Sequence, residues 1–276
     1  SQILTALLIQ NGFQANAIDA YNLIFTDNNF SEGNVDFKKT DLQIQKIITP
    51  LLTQKIIPVI TGFVAQAGNG QYITLGRGGS DYSGAIVAGA IDAAELEIWT
   101  DVDGIYEADP RLIPEAHLLE KLSFNEASEL AYFGAKVLHP KTIKPLQNKS
   151  IPLYVKCFLD ASLPGTLIHN KNVQNLPPII VMKQQQVLLH LKTMDFSFVG
   201  EAPMARLYEI FAQLSIQPNL IQTGAINVQI GMDDKPEKIE QFAATAAQIF
   251  DVQIEKDLQL LTIRHYNENL LEEMTA

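Results

Sequence analysis

The chain has 276 residues and is 47% hydrophobic, enough for a sizeable core and for two domains. A formal net charge of −11 and a sequence pI near 4.9, with no basic patch in compensation, exclude nucleic acid as a natural partner. The single cysteine, Cys157, excludes an internal disulfide framework and fits a reducing, cytoplasmic setting, and no apolar run reaches the roughly 20 residues of a membrane span.

The start, SQILTALLIQ, has no basic region or cleavage signature and begins inside what reads as a helix over Gln2–Gln10, so a fragment is expected. FQANAIDA reads as a strand reaching a turn, and TDNNFSEGNVDF as loop. Leu42, Ile44, Ile47, Ile48, Leu51 and Leu52 recur at nearly helical spacing, which predicts a helix over Asp41–Gln54. KIIPVITGF is a β-branched run of the kind found in strands buried on both faces. FVAQAGNGQYITLG predicts a hairpin turning at Gly68-Asn69-Gly70. A helix over Tyr82–Ala94 and the strand and exit loop LEIWTDVDG follow. Ser123 with Glu126 forms a capping box for a helix that runs to about Phe133, where Gly134 can end it; Pro140 suits the first turn of the next helix. IPLYVKCF is another buried strand. The alternation over residues 1–170 predicts an α/β domain with a mainly parallel sheet.

HNKNVQNLPP is a linker by composition, with 171–178 as its core. Beyond it come a strand at VLLHLKT, a helix over Pro203–Leu214, two short strands around Gly224, a helix over Lys235–Phe250 and a strand at DVQIEKD. Residues 179–257 thus read as a βαββαβ, ferredoxin-like unit. LQLLTIRHY, in 258–276, reads as the start of a second such unit.

The chemistry concentrates in GRGGSD, between the strand YITL and a helix. Backbone N–H groups and a helix N-terminus suit an anion, the glycines permit close approach, and Arg77 can grip a carboxylate or phosphate with two hydrogen bonds. Asp81 has the wrong charge for an anion and should orient a lysine, a substrate ammonium or magnesium. The next strand exits at Thr100-Asp101 on the same sheet edge, where ligands of open α/β sheets bind. Walker A is absent because no Lys ends the loop, and Asp81 stands where a dinucleotide fingerprint needs glycine. From the residues alone, an anion-binding loop competes with a structural glycine turn. Arg77 could serve a surface ion pair, Asp101 a turn with Gly104, Tyr106 and Trp99 the core, and Lys136 a helix C-terminus; His139, just before Pro140, reads as structural.

TLGRGGSDYSGA, IWTDVDGIYEADPR and FGAKVLHPKTI, in that order, resemble the aspartate kinase branch of the amino acid kinase family, and GTLI at Gly165–Ile168 agrees. The resemblance implies a three-layer α/β/α kinase domain followed by an ACT regulatory domain. It implies ATP-dependent phosphorylation of the side-chain carboxylate of L-aspartate to 4-phospho-L-aspartate, the first step towards lysine, threonine and methionine. On it, Arg77, Gly78, Gly79 and Ser80 would seat the amino acid, and Asp81 would organise the catalytic cations. Thr100, Asp101, Tyr106 and Arg111 would line the ATP site, and Lys136 would reach its phosphates. Magnesium would be held mainly by those phosphates and not by a protein metal site. An amino-acid effector, lysine or threonine, would bind near Asn219 and Thr223 in an ACT-linked homo-oligomer. Asn219 stands where lysine-sensitive relatives carry an acid, which argues against lysine. The family's opening K-F-G-G-T-S loop is absent and Gln2 stands where an acid is expected, so these residues alone are expected to be inactive. The alternatives are another amino acid kinase, of the glutamate 5-kinase or acetylglutamate kinase type, or a non-catalytic amino-acid-binding regulatory chain.

Overall fold

The computed structural model of the protein describes residues 1–30, 32–135, 137–195 and 197–266. The chain forms two compact units, Ser1–Ile179 and Ile180–Ala276.

In the first unit, α1 (Gln2–Gln10) leads to β1 (Ala15–Ile18), which pairs in parallel with β2 (Ile57–Ile60). Between them lies α2 (Phe37–Thr53), which starts earlier than its apolar spacing predicts. Asp36 caps it by accepting the Lys39 N–H at 3.1 Å, which brings Phe37, Lys38 and Lys39 into its first turn ahead of the apolar stripe. β2 is not buried on both faces: only Val59 is buried, and Ile57 is 40% exposed. β3 (Val64–Gln66) and β4 (Tyr72–Thr74) form the expected antiparallel hairpin, closed by a Gly70 N–H donated to the Ala67 carbonyl. Ile44 and Ile48 of α2 pack with Leu23, Ile24, Ile73, Leu75 and Ile86 into a fully buried cluster. Each such side chain contributes about 1.5–3 kcal/mol by leaving water.

α3 (Gly79–Ala90) begins three residues before the predicted Tyr82, so Ser80 and Asp81 belong to its first turn and not to a loop. β5 (Leu96–Thr100), β6 (Lys121–Ser123), β7 (Leu153–Cys157) and β8 (Thr166–His169) form one sheet in the order β5-β7-β8-β6. The outer pairs are parallel, and β7–β8 is antiparallel at the centre. α4 (Phe124–Phe133) has the predicted cap: Ser123 Oγ accepts the Glu126 N–H at 3.1 Å, and Gly134 closes the helix in the left-handed region. α5 (Pro140–Lys149) starts at the predicted proline.

The second unit has the strand and helix order of a ferredoxin-like fold. β9 (Ile179–Thr193), α6 (Glu201–Leu214), β10 (Leu220–Thr223), β11 (Asn227–Asp233), α7 (Pro236–Ala246) and β12 (Phe250–Arg264) give a sheet ordered β10-β11-β9-β12. Leu189, Leu191, Leu207, Ile210, Phe242 and Phe250 form its buried core. α7 ends before the predicted Phe250 because that ring is fully buried as the first residue of β12. The predicted strands at DVQIEKD and LQLLTIRHY are one continuous strand, with Asp257 at φ +59° as its only positive-φ residue. The remainder of 258–276 past residue 266 lies outside the described residues.

Candidate functional site

The glycine loop joins β4 to α3, and contact with a second helix fixes its place. Gly78 is the N-cap of α3 with φ +69°, a conformation that glycine adopts without steric penalty. A Cβ on Gly78 would lie only 2.6 Å from the His139 Cβ. His139 is itself the N-cap of α5, its Nδ1 accepting the Lys141 N–H at 3.3 Å. The N-caps of α3 and α5 therefore touch, and both helices leave from one end of the unit. β5 and β7 return the chain in parallel, with Thr100 opposite Cys157. Thr100-Asp101 and Phe158 thus emerge where strand carboxyl ends and helix amino ends face a ligand.

The first turn of α3 is latched from the other side by the exit of β2. The Phe63 N–H donates to Ser83 Oγ at 3.0 Å, and a Cβ on Gly62 would meet Ser80 at 3.1 Å. Arg77 and Ser80 are exposed, Asp81 is half-buried, and the side chains of all of them lack a hydrogen-bond or ion-pair partner among the described residues. Burial holds the Asp81 carboxyl above the usual carboxylate range. Gly79 is buried against Phe63 and Leu75. A cation, a hydroxyl and a carboxylate thus stand within five residues at the start of a helix, with no side-chain partner among the described residues.

Around the β5 exit, Thr100 Oγ1 donates to Asp101 at 3.1 Å, and Tyr106 OH donates to Asp103 at 3.1 Å. Burial first, and then Asp103, raise the Tyr106 phenol above its ordinary value. Arg111 grips Asp109 through Nε at 2.9 Å and Nη2 at 2.7 Å. The turn is anchored where the Ile105 N–H meets buried Thr166 Oγ1 at 2.8 Å, which accounts for the threonine of the GTLI segment. Lys136 lies outside the described residues.

The sequence marks His139 as structural, which its N-cap role bears out, but singles out neither Glu32 nor Lys141. His139 packs on Gly78, and burial, then Lys141 and Arg77, push its imidazole below its ordinary value against the pull of Glu32. Lys141 pairs with Glu32, which joins the loop before α2 to the first turn of α5. His139 had a local signal, since a residue just before a helix-starting proline is an N-cap candidate. The Glu32–Lys141 pair, far apart in sequence, had none.

In the second unit, Asn219 is committed to its own chain. Its amide donates to Gln186 at 2.6 Å and to Asp233 at 2.9 Å, while Lys183 Nζ donates to Asn219 at 2.8 Å and pairs with Asp233 at 2.8 Å. Thr223 is exposed at the end of β10. Among the described residues no group of three His, Cys, Asp or Glu is placed to hold a metal ion, and no helix is long and apolar enough to cross a membrane.

The profile of the amino acid kinase family matches residues 1–157. Lysine-sensitive aspartokinase 3 of Escherichia coli is 32% identical over 234 residues, covering 84% of this chain and 51% of the relative. This chain therefore spans about half the length of that curated relative. The crystal structure of Escherichia coli aspartokinase III with aspartate and ADP, in the R-state, superposes with a TM-score of 0.82 at 29% identity, over 95% of this chain and 60% of that one. The T-state of the same enzyme, with lysine and aspartate, gives 0.76 at 30% identity over the same shares.

Proposed function

Since the chain belongs to the amino acid kinase family, we propose that it carries much of an aspartate kinase: it transfers the terminal phosphoryl group of ATP to the side-chain carboxylate of L-aspartate. The observation that carries this reading is the uncommitted set Arg77, Ser80 and Asp81 at the start of α3. Phosphoryl transfer is mainly positioning and charge neutralisation, and these groups supply both.

Arg77 holds a carboxylate of the amino acid through its two-pronged fork, and Ser80 adds a hydroxyl beside it. Asp81, half-buried and without a partner among the described residues, orients the cations that face the phosphates; Lys136 is the cation proposed for that contact. Thr100, Asp101 and Tyr106 line the nucleotide side. Arg111 joins them by leaving Asp109, its partner in an exposed, solvent-screened ion pair. Magnesium is proposed to arrive on the nucleotide, held mainly by its phosphates.

The second unit is proposed as an ACT-like regulatory unit that binds an amino acid within a homo-oligomer. The Escherichia coli relative binds lysine. In this chain Lys183 already satisfies Asn219 and Asp233, which favours an effector other than lysine.

Calorimetric titration of L-aspartate into the protein tests the reading. Arg77→Ala should weaken binding at least tenfold and Arg77→Lys by less, because a point charge keeps attraction but loses the fork. Equal affinity in all three proteins would sink it.

A further inference from the structure

Phe158 and Leu159, immediately after β7, are large apolar side chains 59% and 74% exposed. Their place is fixed on both sides. The Phe158 N–H donates to the Thr100 carbonyl at 2.9 Å, which ties Phe158 to the exit of β5 beside Asp101. Behind it, Asp160 accepts the Ser162 N–H at 2.9 Å and its hydroxyl at 2.6 Å, and the Leu163 N–H closes the turn onto the Asp160 carbonyl. Val102, 38% exposed, stands on the neighbouring exit loop. An ordered apolar shelf therefore borders a polar turn, at the end of the unit where the N-caps of α3 and α5 meet.

A nucleotide needs two unlike surfaces: charge and N–H groups for its phosphates, and an apolar or aromatic face for its base. Arg77, Ser80, Asp81, Thr100 and Asp101 are all polar; Tyr106, whose hydroxyl is tied to Asp103, is the one ring among the residues assigned to the nucleotide side, and a second face is needed opposite it. We infer that Phe158, with Leu159 at its flank, is the platform on which the adenine ring of the nucleotide lies, making Phe158 a specificity residue for the base. The inference rests on the kinase reading above. The backbone bond to Thr100 fixes the main chain from which the ring projects, so only the two side-chain torsions of Phe158 remain to be ordered on binding.

The test is calorimetric titration of ADP and, separately, of L-aspartate into the protein and its Phe158→Ser and Phe158→Tyr variants. Because base–aromatic stacking is worth about 1–3 kcal/mol, Phe158→Ser should weaken ADP about tenfold or more, Phe158→Tyr should stay within about twofold, and L-aspartate should bind all three alike. The adenine H2 and H8 resonances should move upfield on binding to the parent and tyrosine proteins and not to the serine variant. ADP affinity unchanged in Phe158→Ser overturns the inference, as does loss of ADP and aspartate together. A change in sedimentation with ADP affinity intact would assign the shelf to a second copy and overturn it equally. A parent protein that binds L-aspartate but not ADP defeats this inference alone; one that binds neither defeats the kinase reading as well.

Discussion

Gly78→Ala probes the contact that organises the site. At φ +69° an alanine pays about 1–2 kcal/mol for the left-handed conformation alone. Its Cβ would also sit 2.6 Å from the His139 Cβ, far inside van der Waals contact, and 3.2 Å from the His139 Cγ, a tight contact. Relief requires moving the N-cap of α5 away from that of α3, an overpacking cost of about 1–3 kcal/mol. The sum is about 2–5 kcal/mol. Gly12 is the internal control: its φ is +85° and nothing lies within 4 Å of a Cβ placed there, so Gly12→Ala should cost only the conformational part. Urea unfolding followed by the fluorescence of Trp99, the one tryptophan of the chain, reads both variants in the first unit. His139→Gly removes the opposing Cβ, so the double variant Gly78→Ala/His139→Gly should lose less than the sum of the single changes. If Gly78→Ala is no more damaging than Gly12→Ala, or if the double variant is additive, the two N-caps do not depend on each other and the geometry assigned to the loop is wrong.

Asp233 is lowered to about 2: burial opposes this, and the bonds from Lys183, Asn219 and Gln186 outweigh it. A depressed carboxylate stabilises the fold above its ordinary pKa of 3.8, and that contribution disappears as pH falls towards about 2. The side chain is 40% exposed, so after solvent screening Asp233→Asn should cost about 1 kcal/mol at neutral pH, converging with the parent protein near pH 2 in thermal unfolding. Asp81→Asn should behave in the opposite sense, because a carboxyl raised by burial alone destabilises the folded state at neutral pH. Its Tm should equal or exceed that of the parent, while the same change in an enzyme completed with the family's opening lysine-and-glycine loop should abolish aspartate-dependent ATP turnover; turnover retained there within a few-fold would remove Asp81 from the site. Ser123→Ala deletes the cap of α4 and should cost about 1 kcal/mol by urea unfolding, with ligand binding unchanged.

Local chemistry made part of this fold legible. The Gly68-Asn69-Gly70 turn, the Ser123 cap and Pro140 each act within a few residues, and each stands where its residue type requires. Errors arose where tertiary contacts override local preference. The sequence predicts α3 from Tyr82, yet Gly78 acts as a left-handed cap and the latch from Phe63 to Ser83 secures a turn that starts at Gly79. The sequence predicts a helix as far as Phe250, and only the sheet core shows that residue to belong to the strand. β6 and β8 are too short to carry a period at all. In the candidate site, the identities of Arg77, Ser80 and Asp81 were readable, whereas His139 and Phe158 entered only through contacts with Gly78 and Thr100.

Arg77 and Asp81 show what the glycines accomplish. Four residues apart, an arginine and an aspartate on a continuous helix would lie on one face and neutralise each other. Elsewhere in the chain charged side chains do find partners: Lys149 with Asp92, Lys156 with Glu97, Arg206 with Glu209. The left-handed Gly78 starts the helix between Arg77 and Asp81, leaving the arginine before the cap and the aspartate inside the first turn. An ion pair is prevented, and two opposite charges stay available within one turn of chain. A continuous helix would gain a few tenths of a kcal/mol from the pair and lose both groups to any ligand. The contact from His139 holds that break in place, so the residue that reads as merely structural is what keeps the charges of the site apart.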